Sequence, residues 1–203
     1  MSKPQASEAI VKQYLTDVGL LTASEPCALL GVRGYRRDTM GKPGVNDVGM
    51  YDDAIFFIAP GVFKAVNANT DPSRIGWNAA IGKRFAMLMP GVWHFIRGAH
   101  KGRTPALRQA TEDQADDVKI PNNGHFKVWR ANSISDVASG TADVDEGYFA
   151  INIHRGGDAT TSSWGCQTIP PAEFDDFMLT VWEHTKKHGQ DRIPYRLING
   201  PIV

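Results

Sequence analysis

The sequence predicts a β-rich α+β fold, and three observations carry that expectation. Short runs rich in Val, Ile, Phe and Trp are separated by Gly, Pro, Asn and Asp, the pattern of strands joined by turns. Apolar residues fall at helical spacing in only two long segments, one near each end of the chain. The length of 203 residues suits one domain over 1–203 with a substantial core.

The first helix is expected within residues 5–20, where Ile10, Val11, Tyr14, Leu15 and Val18 share a face and Gly19 offers a stop. Residues 1–20 thus read as a docking helix. The run Cys27–Arg33 has the apolar continuity of a buried strand, and a Gly-, Asp- and Arg-rich loop follows over 34–53. Residues 53–59 and 61–67 read as a hairpin turning at Pro60-Gly61. Asn67–Ser73 has the short polar side chains that satisfy loop backbone. Segments 84–89, 91–96 and 125–130 have strand composition and are expected to form a second ladder. Thr104–Thr111 reads as a short helix or a tight turn into an acidic loop at 112–117. A strand-like run spans 147–153. The second helix is expected over 170–187, with proline at its start, acids in its first turn and lysines before Gly189. A last strand is expected at 192–198.

Charge excludes one class of partner. Twenty-two basic residues balance twenty-two acidic ones, so no overall field draws the chain to nucleic acid. No eighteen-residue apolar stretch occurs, and no membrane anchor is expected. The start Met1-Ser-Lys-Pro-Gln-Ala-Ser-Glu8 lacks the apolar run of a secretory signal, which points to synthesis in the cytoplasm. Of the two cysteines, Cys27 opens an apolar run and reads as a core residue, whereas Cys166 lies in a polar loop. Reduced thiols are expected for both.

The most informative segment is Ile151-Asn-Ile-His154-Arg-Gly-Gly-Asp-Ala-Thr-Thr-Ser-Ser163-Trp-Gly-Cys166. It sets a histidine and a cysteine on either side of a Gly/Ser/Thr-rich loop. A thiol attacks carbonyls as thiolate, and an imidazole is the usual group that removes its proton. Gly165, just before the cysteine, permits a tight backbone whose amides can converge on an oxyanion.

His154-Arg-Gly followed by Ser163-Trp-Gly-Cys166 resembles the active-site signature of the L,D-transpeptidase (YkuD-like) catalytic domain family, in which a His-Gly segment precedes Ser-His-Gly-Cys. The direct match covers about sixteen residues, flanked by the run 147–153. Three positions depart from the pattern: Arg155 where small residues are common, Trp164 for a second histidine, and Gln167-Thr168 for an aliphatic–arginine pair. The resemblance implies a sheet-based fold, catalysis by strand and loop 147–169, Cys166 as nucleophile and His154 as its base. It also implies that the carbonyl of Arg155 orients the imidazole and that amides around Gly165 and Cys166 bind the oxyanion. The implied substrate is a peptidoglycan stem peptide, with no metal or other cofactor. A monomer is expected.

An enzyme of the cell wall made without a signal sequence is expected to act as an endolysin or a secretion-system effector, reaching the wall after release. That expectation favours hydrolysis over cross-linking. Ser163, Trp164, Arg33, His94 and His100 are candidates to line the substrate site, with Arg36 and Arg37 beside Arg33 as further carboxylate binders. The 34–53 loop is the candidate lid. Two other classes stay open: a zinc amidase or peptidase built on His94, His100, His154 and Asp158, and a non-catalytic wall-binding module. His184 and His188 have the i, i+4 spacing of zinc ligands but lack the Glu of a metallopeptidase helix, and read as a solvated helix end.

Overall fold

A computed structural model describes residues 6–35, 48–73 and 85–200. Among them lie four α-helices: α1 (Glu8–Asp17), α2 (Glu112–Asp117), α3 (Ile134–Ala138) and α4 (Pro171–Lys187). Eleven strands accompany them: β1 (Ala28–Arg33), β2 (Asp53–Ala59), β3 (Val62–Ala68), β4 (Phe85–Leu88), β5 (Gly91–His100), β6 (Thr104–Gln109), β7 (Phe126–Ala131), β8 (Asp143–Gly147), β9 (Asn152–Arg155), β10 (Gln167–Ile169) and β11 (Arg192–Asn199). The fold is α+β and mostly β.

Eight strands form one sheet in the order β10-β9-β6-β5-β11-β1-β2-β3. Its two edges meet. Just past β3, Asn69 exchanges two backbone hydrogen bonds of 2.8 Å with Thr168 of β10, so the sheet is nearly closed into a barrel through one bridge between its edges. The second sheet, β4-β7-β8, lies against it.

The inward residues of the large sheet, among them Leu29, Phe57, Phe95, Leu107, Ile153 and Tyr195, share one core with Leu88 and Val128 of the small sheet. Helix α4 completes that core. Its Phe174, Phe177, Met178 and Val181 are buried, each contributing roughly 1.5–3 kcal/mol by leaving water. Helix α1 packs Val11 and Leu15 on the opposite face of β1 and β2, against Leu30 and Phe56. Its start is capped by Ser7, and Gly19, at φ 74°, follows its end. Ile10 and Val18 stay exposed, so the docking stripe is narrower than the helical spacing alone suggests.

Several expectations are corrected. Segments 84–89 and 91–96 do not share a ladder. Leu88 pairs with Val128 in the small sheet, whereas β5 runs on to His100 in the large one, between β11 and β6. The chain changes sheet at Pro90, whose fixed φ and missing N–H suit such a break. Thr104–Gln109 is a strand, neither helix nor turn, and the acidic segment beyond it is α2. Pro105 is tolerated in β6 because only Leu107 and Arg108 pair with β9. The run 147–153 is not one strand: Gly147 ends β8, Ala150 turns at φ 55°, and β9 begins at Asn152. The polar strand β8 and the short β10 carry too little apolar pattern to read in advance. Arg36, Arg37 and most of the 34–53 loop lie outside the described residues. No helix among the described residues is long and apolar enough to cross a membrane.

Candidate active site

Strand alternation builds the site. On β9, Ile153 points into the core, which sends Asn152 and His154 to the opposite face. β10 pairs with β9 in parallel, Gln167 opposite Ile153 and Thr168 opposite His154. Cys166 therefore stands at the head of β10, one position before this register starts.

The imidazole of His154 is buried and fixed. Its Nδ1 lies 2.7 Å from the carbonyl of Arg155, which selects the tautomer with hydrogen on Nδ1 and an open lone pair on Nε2. Nε2 has no hydrogen-bond partner among the described residues. His100, at the end of β5, stacks on this ring with centroids 4.0 Å apart and planes 15° from parallel. Burial drives the His154 pKa down to about 4, with the charges of His100 and Lys101 acting in the same direction. His100 is also lowered by burial. Both rings are neutral at pH 7.

Cys166 is partly exposed. Its Sγ lies 4.0 Å from the Asn152 Nδ2 and 4.0 Å from the carbonyl of Ala150, and no hydrogen bond joins it to His154. Burial raises the thiol pKa, opposed by hydrogen bonds from the Asn152 backbone and side chain. The resting pair is thus a thiol and a neutral imidazole. Asn152 also donates to the Ala150 carbonyl at 2.9 Å and sits 3.4 Å from His100 Nδ1, while its own Oδ1 is buried without a partner. Composition gave no sign of this residue. The signal was alternation: Asn152 precedes His154 by two positions and must share its face.

The loop between the strands is held from below. Ser163 is fully buried, donating to the Cys166 carbonyl at 2.6 Å and accepting from the Gly165 amide at 3.1 Å. Its own carbonyl accepts from the backbone and hydroxyl of Ser73. Ser163 is consequently a brace and does not face the groove. Gly165, at φ 147°, presses against the Ala86 carbonyl where a Cβ would collide, and its amide is spent on Ser163. The Cys166 amide is left as the loop's candidate oxyanion donor. Tyr51 donates to the Gly157 carbonyl at 2.8 Å and fills the space where Gly156 would carry a side chain. The described end of the 34–53 loop thus grips the segment linking base to nucleophile. Gln167 bonds to Tyr195 Oη, Thr70 and Gly165, tying the nucleophile to the core.

Trp164 is half exposed and meets Phe85 edge-on, centroids 5.5 Å apart. It forms a wall of an open groove of about 470 Å³ that is also lined by Ala86, Arg108, Arg130, Tyr148 and Ala150. Ala150, whose carbonyl lies 4.0 Å from Sγ, links this groove to the thiol, which does not itself line it.

Other candidates lie elsewhere. Arg33 is buried, paired with Asp71 at 2.8 Å and bonded to Thr70 and the Leu88 carbonyl, so it is not available to a substrate carboxylate. His94 is six residues along β5 from His100, roughly 20 Å, with its pKa lowered by burial and Arg192. The zinc set is not assembled: no group of three His, Cys, Asp or Glu that could hold a metal occurs among the described residues, Asp158 is exposed, and the stacked rings do not converge. His184 and His188 are half buried, each with one ring nitrogen enclosed without a partner. Cys27 is a free core thiol raised by burial to about 11.

Comparison with protein-family models, curated proteins and solved structures gives no match.

Proposed function

We propose that this chain is a cysteine peptidase of the L,D-transpeptidase type, cleaving an amide of peptidoglycan stem peptides through an acyl-enzyme on Cys166. The observation that supports it most is the anchored imidazole: Nδ1 held by the Arg155 carbonyl, Nε2 open, on the strand next to the thiol. The nearly closed sheet with base and nucleophile on neighbouring strands supports the L,D-transpeptidase likeness of the fold.

The neutral resting pair sets the order of events. As the peptide carbonyl approaches, Cys166 rotates toward His154, the thiol proton passes to Nε2, and Sγ bonds to the carbonyl carbon. The C=O π pair moves to oxygen, where the Cys166 amide is the first donor. Collapse breaks the C–N bond, and the amine leaves with the proton from Nε2. Water then gives a proton back to Nε2, adds to the thioester and releases the acid and the thiol. Cys166 is partly exposed, so water can reach the thioester and hydrolysis is its default fate. A second stem amine intercepting it would give a cross-link instead. A lytic role, that of an endolysin or effector, follows from hydrolysis.

Mass spectrometry of muropeptides released from purified sacculi tests the reading. The wild type should release soluble fragments whose new termini name the bond, and Cys166→Ser should release none. Equal release by the variant, or loss of release in a chelator, would sink the cysteine mechanism. Binding to sacculi without release would make the chain a wall-binding module.

A further inference from the structure

Resting on the reading above, we infer that the groove beside Cys166 is a carboxylate-binding subsite in which Arg108 holds a free carboxyl of the peptide near the scissile amide. Arg108 lies on β6 directly opposite Asn152 of β9, and opposite residues on one sheet face have Cβ atoms about 5 Å apart. Asn152 in turn reaches the thiol. The guanidinium therefore projects from the face that carries the base and the nucleophile.

Arg108 is also held ready. It is half buried, lines the groove, and has no hydrogen bond or ion pair with any described residue. Gly98, its neighbour on β5, makes room for it: a Cβ there would stand 2.7 Å from the Arg108 Cδ. The second groove cation is already used, since Arg130 pairs with Asp145 at 3.1 Å and lies 4.9 Å over the Phe149 ring. No Asp or Glu among the described residues lines the groove. A partly desolvated guanidinium without a counter-ion is unfavourable until an anion arrives, and its planar fork matches a carboxylate in two parallel bonds. Trp164, Phe85 and Tyr148 supply apolar walls for the peptide on either side.

The test uses the stem tetrapeptide L-Ala-γ-D-Glu-meso-diaminopimelyl-D-Ala and its analogues with each carboxyl converted singly to carboxamide. Binding is titrated calorimetrically to the full chain carrying Cys166→Ala, so that nothing turns over. One carboxamide should bind about 10- to 100-fold more weakly than the acid, the range of a charge-assisted pair. Adding Arg108→Gln should bring that ratio to within about twofold, and Arg108→Lys, which keeps the charge but not the fork, should leave an intermediate ratio. An unchanged ratio in Arg108→Gln overturns the inference, as does binding of no peptide or binding of all with equal affinity. The outcomes separate the two claims. A preference lost with Arg108, in a protein whose wild type cleaves nothing, upholds the subsite and overturns the peptidase. Cleavage without any preference does the reverse.

Discussion

Two polar clusters lie beside β10, and they spend their hydrogen bonds differently. Beneath the strand, Arg33 is engaged by Asp71, Thr70 and the Leu88 carbonyl, while Asp53 accepts from the Gly34 amide and from both the amide and hydroxyl of Thr70. At the head of the strand, His154 Nε2, Asn152 Oδ1 and the Arg108 guanidinium have no partners among the described residues, and Sγ has only contacts of 4.0 Å. The first cluster is buried and satisfies most of its polar atoms internally, Arg33 Nη1 being the exception, whereas the second, only partly buried at Arg108 and Cys166, leaves its reactive atoms open. The difference separates a cluster that holds the barrel together from one that waits for a ligand. Thr70 couples them, since its carbonyl accepts from both Arg33 and Gln167.

The contrast should break most sharply at the nucleophile. Cys166→Ala is expected to lower turnover by at least about a thousandfold while leaving the thermal midpoint unchanged, and loss of both together would make the thiol structural. Arg33→Met should do the opposite. It leaves buried carboxylates without their cation, at a cost of about 3–5 kcal/mol in denaturant unfolding, while the folded fraction keeps turning over. Asn152→Ala removes a donor beside Sγ, and kcat/KM should fall roughly hundredfold with little change in stability. Gly165→Ala, meeting both a positive φ and the Ala86 carbonyl, should destabilise by about 1–3 kcal/mol, enough to see in a melting curve.

The smallest effect is in pH. Only the neutral His154 ring can take the thiol proton, so kcat/KM should hold down to mildly acidic pH and fall through about 4; a limb near 6.5 would mean the ring is not desolvated. Stability follows the same group. Its native pKa is depressed from 6.5 to about 4, so the unfolded chain binds the extra proton between those values. Stability should therefore fall as pH drops through that window, and His154→Gln should flatten the slope.

The sequence made parts of this contrast legible and hid others for physical reasons. Helix α4, the β2–β3 hairpin and β11 were readable because each states its period and its stops locally. The pair of His154 and Cys166 was readable as chemistry, and strand alternation could have added Asn152. Arg33 misled because a charged residue at the end of an apolar run looks exposed, whereas Asp71, thirty-eight positions later, draws it inward. Arg108 was hidden in a segment whose proline argued against a strand. His100 and His154 meet only because β6 places β5 and β9 on either side of it, a pairing no local pattern encodes. Ser163 read as a groove residue, yet its hydroxyl is turned into the loop by the Gly165 amide.

The central claim is that Cys166 carries the acyl group. It is tested most directly by the intact mass of the protein, acid-quenched during turnover of the stem tetrapeptide. The expected result is a mass increase equal to the acyl fragment, mapped to Cys166 and absent from Cys166→Ala. Cleavage of the peptide by Cys166→Ala at the wild-type rate, with no adduct on either protein, would contradict it.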